Sequence, residues 1–124
     1  MERLHEWRKR AKDLWYHLRM LRPLSPDIVA GQADEAHKLS DRLGDDHDLA
    51  ILRGKLQNGA VTDLPLDLGP VFELIDHRRA QLQSEAVLIG ARLYAERPKD
   101  FVRRIHRYWR ASRSAGAPRP AALA

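Results

Sequence analysis

The residues of this 124-residue sequence that are best suited to chemistry form a row of basic side chains near its start. At 100° per residue, one helical face collects them without a carboxylate. The row, called the basic stripe below, consists of His5, Arg8, Lys9, Lys12 and Arg19, with Tyr16 on the same face. Like charges four residues apart disfavour a helix slightly, so a bound anion would relieve the stripe. The spacing fits a phosphate-binding surface, and it also fits a solvated face paired with acids of a neighbouring helix.

A second group of bases lies near the end of the chain. Its members are Arg103, Arg104, Arg107 and Arg110, and they alternate with Phe101, Ile105 and Trp109. Arginine binds phosphate well because its planar fork donates two parallel hydrogen bonds. Residues 1–22 carry a net charge of +4 and residues 97–124 a net charge of +7, against −6 for residues 23–96. If the two ends meet in the fold, they form one strongly positive surface that favours polyanions.

The segment Asp45-Asp46-His47-Asp48 contains the residue types of a metal site. Adjacent helical residues diverge by 100°, however, so these four side chains cannot converge on one ion from a regular helix. We interpret the acids as the first turn of a helix that restarts after Gly44. The sequence has no cysteine and no recognisable nucleophile–base set, so we expect neither a catalytic residue nor a metal or other cofactor. A metal-dependent phosphohydrolase that uses His47 and Asp48 is the weaker alternative.

Apolar residues at steps of three and four predict helices to carry these side chains. We expect them at 2–22, 27–57 with a break at Gly44, 70–96 and 98–112, in an all-α, four-helix up-down bundle. Residues 1–112 would form one domain, 58–69 a loop, and 113–124 a flexible tail. The predicted inner faces comprise Leu4, Trp7, Ala11, Leu14, Trp15, Leu18 and Leu21 in the first helix, Ile28, Val29, Ala33, Ala36, Leu39 and Leu43 in the second, Leu74, Ala80 or Arg79, Leu82, Val87, Ala91 and Tyr94 in the third, and Phe101, Val102, Ile105, Tyr108 and Trp109 in the fourth.

Composition limits the classes of protein that fit. A hydrophobic content of 44% is enough for a core, so wholesale disorder is excluded. No apolar run approaches the roughly 20 residues that span a bilayer, and the first residues lack a secretory apolar region. We expect a soluble, cytoplasmic protein without a membrane partner.

Two runs of residues resemble the CHAD family, the conserved-histidine α-helical domains. The first, from Leu4 to Tyr16, has a histidine followed by basic residues at three, four and seven positions and an aromatic residue near eleven. The second, from Leu39 to Leu52, is similar to the family's Leu-Gly-x-x-x-Asp helix break. The order and separation of the two runs also resemble the family pattern.

The resemblance implies a helical domain that binds inorganic polyphosphate through a basic cavity without catalysis. It implies as phosphate ligands His5, Arg8, Lys9, Lys12, Arg19, Arg42, Arg103 and Arg107, with Tyr16 and Asp48 as structural support. Family members usually contain two four-helix halves, and this chain resembles one. It is therefore either a half-domain that forms a homodimer with a shared cavity, or a monomer with an open basic face and weakened binding. An RNA- or DNA-binding helical protein is the alternative, although Trp7 and Trp15 fall on the apolar seam and would offer no exposed stacking platform.

Overall fold

The structure is a computed structural model that describes residues 2–59 and 67–116. These residues form four α-helices, and no strand occurs among them. The helices are α1 (Glu2–Leu21), α2 (Pro26–Gln57), α3 (Gly69–Leu93) and α4 (Pro98–Gly116), and a short 3-10 helix (Arg22–Leu24) joins α1 to α2. The predicted all-α, four-helix fold is therefore confirmed.

Prolines and one glycine set the ends of the helices. Pro23 follows the end of α1, and its ring disfavours the helical conformation of the residue before it. Pro26, Pro70 and Pro98 each lie in a first helical turn, where the missing N–H is not needed. After α2, Gly59 has a φ of 85°, a left-handed conformation that glycine adopts readily.

The helix α2 passes through Gly44 without interruption, so the predicted break there is wrong. Glycine within a helix costs about 0.5–1 kcal/mol relative to alanine. The buried neighbours Leu43 and Asp46, which pack against other helices, offset that cost. The acidic residues 45–48 are therefore interior helical residues, and they do not form the first turn of a new helix.

Two hydrophobic clusters hold the helices together, and α2 contributes to both. The first joins α1, α2 and α3 through Ala11, Leu39, Leu43, Ala86 and Ile89, with Leu4, Trp7 and Leu93 against them. The second joins α1, α2 and α4, and its buried members are Leu18, Val29, Ala33 and Ala36. The half-buried residues Phe101, Ile105 and Tyr108 of α4 pack against this second cluster. As a result, α2 is the central helix against which the others are positioned.

The predicted inner face of α3 is wrong in phase. Leu74 and Val87 are 71% and 59% exposed, whereas the buried apolar residues of α3 are Ile75, Leu82, Ala86 and Ile89. Arg79 lies on this buried face and breaks its apolar pattern in the sequence. The fold accepts it there because Asp46 of α2 forms an ion pair with its guanidinium group.

The remaining predictions of burial are met in part. Leu18 is buried, while Trp7 and Leu14 are half-buried. Ile28 of α2 and the α4 residues Val102 and Trp109, predicted to face inward, are exposed instead, as are Ala91 and Tyr94 of α3.

Some predictions concern residues beyond the described part. Residues 60–66, in the predicted loop, and 117–124, in the predicted tail, lie outside it, whereas residues 113–116 belong to α4. None of the helices within residues 2–59 and 67–116 combines the length and the low polarity that crossing a lipid bilayer requires.

Candidate anion-binding site

The basic stripe lies on α1, and two of its members, His5 and Arg8, lie next to α2. Its four outer members, His5, Lys9, Lys12 and Arg19, are exposed, and Arg8 is half-buried between the two helices. The sequence placed these side chains on one face because their spacing follows the helical period, and α1 is regular over its whole length. The stripe is therefore accessible to a ligand from water.

Most cations of the basic stripe lack a carboxylate partner. Among the described side chains, neither Arg8 nor Lys12 makes a hydrogen bond or an ion pair, and Arg19 makes only a cation–π contact with Trp15, 5.1 Å from the ring centre. Lys9 has its Nζ 3.9 Å from Oε1 of Glu6, and both side chains are 60% exposed. Exposed pairs of this kind contribute little, so the stripe keeps nearly all of its positive charge.

Arg8 lies against α2 where that helix has no side chain. A Cβ atom added at Gly44 would lie 4.0 Å from Nε of Arg8. Next to this position, the imidazoles of His5 and His47 have ring centres 5.8 Å apart, at an interplanar angle of 36°. His5, Arg8 and His47 line a small notch between α1 and α2. From the sequence, His47 was only a candidate for a metal or catalytic site. The helical spacing of Leu43, His47 and Ala50 places it on the face of α2 that meets α1.

Asp46 is the buried carboxylate next to this notch. It is 3% exposed, and its Oδ1 accepts hydrogen bonds from Nε of Arg79 at 2.9 Å and from Nε2 of Gln83 at 3.1 Å. These bonds fix α3 against the middle of α2, and Asp46 also lines the notch. Asp46 was interpreted from the sequence only as an acid of a first helical turn, although it follows Leu39 and Leu43 at the helical spacing of the buried face.

The two residues predicted to support the site have exposed positions. Asp48 is exposed and makes no hydrogen bond or ion pair among the described side chains. Tyr16 is 46% exposed, and its ring lies 4.8 Å from the ring of Trp15, centre to centre. Trp15 in turn contacts the ring of His37, which is paired with Asp41 at 3.4 Å.

Three further predicted ligands lie apart from the basic stripe. Arg42 projects from the α3 side of α2 and donates a hydrogen bond to Glu85. Arg103 and Arg107 are exposed on α4, and no hydrogen bond or ion pair within the described residues ties either one to the stripe. The helix α4 packs on α1 and α2 through the second hydrophobic cluster.

A fourth arginine of α4 has a structural position. The guanidinium of Arg104 donates to both carboxylate oxygens of Glu96, at 2.8 and 2.9 Å, and to Oε1 of Gln32 on α2 at 2.8 Å. The hydrogen bond from Arg104 lowers the pKa of Glu96, and the same contact raises the pKa of Arg104. Arg104 therefore fastens α4 to the bundle and is not a free phosphate ligand.

A larger cavity lies elsewhere, between α2, the end of α3 and α4. Its volume is about 560 Å³, and its charged lining is balanced, with Glu35 and Glu96 facing Arg92 and Arg104. The charge of this cavity does not suit a polyanion. Among the described residues, no group of three or more histidines and carboxylates has a geometry that could hold a metal ion.

Comparison with known proteins agrees with the resemblance seen in the two sequence runs. Residues 1–57 match the family model of the CHAD domain. No curated protein and no solved structure matches the chain. The matched segment contains α1, α2 and both runs, and therefore the basic stripe and the notch with His47. Residues 1–57, a little less than half of the chain, are thus similar to the CHAD domain, and the match is consistent with a partial copy of it.

Proposed function

We propose that this protein binds inorganic polyphosphate, or a similarly phosphate-rich polyanion, along the basic stripe of α1 and without catalysis. The phosphate ligands are His5, Arg8, Lys9, Lys12 and Arg19. Each phosphate of such a chain carries negative charge at neutral pH, so a row of cations on one helical face matches a linear anion in shape and charge.

The observation that carries this proposal is the contrast between paired and unpaired cations. Arg42, Arg53, Arg79 and Arg104 each have a carboxylate partner at 2.5–2.9 Å. Arg8, Lys12 and Arg19 have none among the described side chains. Since the chain supplies close carboxylates to structural arginines and leaves three of the five stripe members, Arg8, Lys12 and Arg19, without one, the stripe is a surface that an external anion would neutralise.

A binding assay with size-defined polyphosphate tests the proposal. The double variant Arg8→Gln/Lys12→Gln should bind much more weakly than the wild type. Each lost phosphate contact should also reduce the slope of log affinity against log salt concentration by roughly 0.7–0.9, the value for nucleic-acid-like polyanions.

The matched control is Lys38→Gln/Arg78→Gln, which removes the same charge from exposed positions on α2 and α3. It should lose little affinity. Equal losses in the two double variants would show attraction by net charge alone and would contradict a site on α1.

A second function, binding of single-stranded RNA or DNA, is favoured by one feature of α4. Trp109 is 43% exposed, and the guanidinium of Arg113 lies 4.8 Å from its ring centre. Three exposed arginines lie near Trp109 in the sequence, namely Arg103, Arg107 and Arg110. Aromatic rings flanked by arginines can stack on unpaired bases.

Competition distinguishes the two functions. Under polyphosphate binding, unlabelled polyphosphate displaces a bound probe far better than RNA of equal charge, and Trp109→Ala leaves affinity unchanged. Under nucleic-acid binding, RNA competes at least as well, and Trp109→Ala weakens binding by about 1–3 kcal/mol for each base it stacks.

A further inference from the structure

Two imidazoles from different helices meet at the edge of the basic stripe. His5 is exposed on α1, His47 is half-buried on α2, and their ring centres are 5.8 Å apart. Neither ring forms an ion pair among the described side chains. The other four histidines within the described residues lie elsewhere, and His37 among them already has Asp41 as a partner at 3.4 Å.

The charges around this pair favour an anion. From α1, Arg8 lines the same notch without a partner, and Lys9 and Lys12 continue the stripe. From α2, Asp46 also borders the notch, but its carboxylate is directed to Arg79 and Gln83 of α3. The carboxylate of Asp48 is on α2 as well, one residue after His47, and it points to solvent as an exposed side chain.

Resting on the proposed function, we propose that His47 is a further phosphate ligand, and that His5 and His47 take up protons together when a phosphate binds between them. Two imidazolium rings and the guanidinium of Arg8 within one notch repel one another when no anion lies between them. A phosphate placed between the rings reverses this balance, because both protonated rings then donate charge-assisted hydrogen bonds to it. The site thus couples affinity to pH within the range where histidine titrates.

The coupling has a definite sign. Because binding takes up protons, affinity rises as the pH falls from 8 to 6. By linkage, affinity changes by up to about tenfold per pH unit for each proton taken up. Replacement of His47 removes one of the two protons and one of the two donors.

Titration calorimetry in two buffers of different ionisation enthalpy measures the protons taken up per polyphosphate bound, at pH 6, 7 and 8. Since terminal phosphates of the probe also titrate, the quantity compared is the difference between variants and wild type. His47→Gln should take up fewer protons and bind about tenfold more weakly at pH 6, with affinity close to wild type at pH 8. His47→Arg should also take up fewer protons, yet bind at least as tightly as wild type, because its charge is permanent.

His37→Gln is the matched control, since it removes a histidine of α2 whose partner is Asp41, and it should behave as wild type. If the wild type does not bind polyphosphate at all, the proposed function fails and this inference fails with it. If the wild type binds and His47→Gln matches it in proton uptake and in affinity at pH 6, the role of His47 alone is wrong.

Discussion

Among the described residues, Asp46 is the one buried charged side chain, and it joins the middle of α2 to α3. Its carboxylate is almost completely buried, and it satisfies two side chains of α3, Arg79 and Gln83. Removal of one partner from a buried ion pair destabilises proteins by about 3–5 kcal/mol. Arg79 keeps 19% of its side chain exposed, so water can compensate in part.

We therefore predict that Asp46→Ala lowers the free energy of unfolding by about 3 kcal/mol, near the lower end of that range. Urea denaturation measures the change. The control is Asp48→Ala, two residues away and exposed, which should stay within about 0.5 kcal/mol of wild type. A larger loss for Asp48→Ala than for Asp46→Ala would return the supporting role to Asp48, as the family resemblance implied.

At the scale of helices, two glycines differ in the space that surrounds them. A Cβ at Gly90 of α3 would lie 2.6 Å from Cζ2 of Trp7, so α1 and α3 approach each other through the missing side chain. A Cβ at Gly44 of α2 would meet only Nε of Arg8, at 4.0 Å, an ordinary contact distance.

Alanine scanning of these two positions should give effects of opposite sign. Gly90→Ala should destabilise the fold by about 1–3 kcal/mol, because Trp7 must move within the first hydrophobic cluster. Gly44→Ala should stabilise it by about 0.5–1 kcal/mol through helix propensity. Thermal unfolding followed by circular dichroism provides both values, and a destabilised Gly44→Ala would show that Arg8 needs more space than the structure leaves.

The contribution of the Arg104–Glu96 ion pair to stability should be lost at acid pH. The hydrogen bond from Arg104 lowers the pKa of Glu96 in the folded state. A lowered folded-state pKa contributes stability that is fully present above the ordinary glutamate value, about 4.3, and is lost as the pH falls through the folded-state value. The melting temperature of Glu96→Gln should therefore lie below that of wild type at pH 6 to 7, and the two should converge near pH 3. A constant difference over this range would contradict the contribution of the ion pair.

The helices also show which features could be predicted from one stretch of sequence without knowledge of its partners in the fold. The basic stripe of α1 was predictable because its residues follow one helical period and its cations have no remote partners. The phase of α3 was not, because the sequence left Ala80 and Arg79 as alternatives for its inner face, and Arg79 is acceptable there only through a carboxylate of another helix. Arg42 and Arg104 were grouped with free arginines for the same reason, since their partners Glu85 and Glu96 are recognisable only once the helices are packed.

At the scale of the whole molecule, the basic stripe of one copy covers only one side of a linear anion. We propose that a second copy covers the other side and that polyphosphate binding and dimerisation are linked. Two empty stripes repel each other, and an anion between them removes the repulsion, so each equilibrium should strengthen the other.

Sedimentation velocity at a fixed protein concentration, with and without polyphosphate, tests this linkage. The expected result is a larger dimer fraction with polyphosphate, and the double variant Arg8→Gln/Lys12→Gln should not respond. A monomer under both conditions would remove the shared-cavity arrangement while leaving binding to a single stripe intact.

If the basic stripe binds a linear anion as proposed, the regular course of α1 limits the length of anion that one copy can contact. From His5 to Arg19 the helix rises about 21 Å, at 1.5 Å per residue, and side chains fixed to a rigid rod cannot gather around a short ligand. Affinity should therefore increase with each added phosphate until the anion spans about 21 Å. For longer anions it should level off, apart from a small increase because a long chain can bind in several equivalent positions along the stripe. A series of size-defined polyphosphates measured against one protein concentration would show that plateau, and Arg19→Gln should move it to shorter chains.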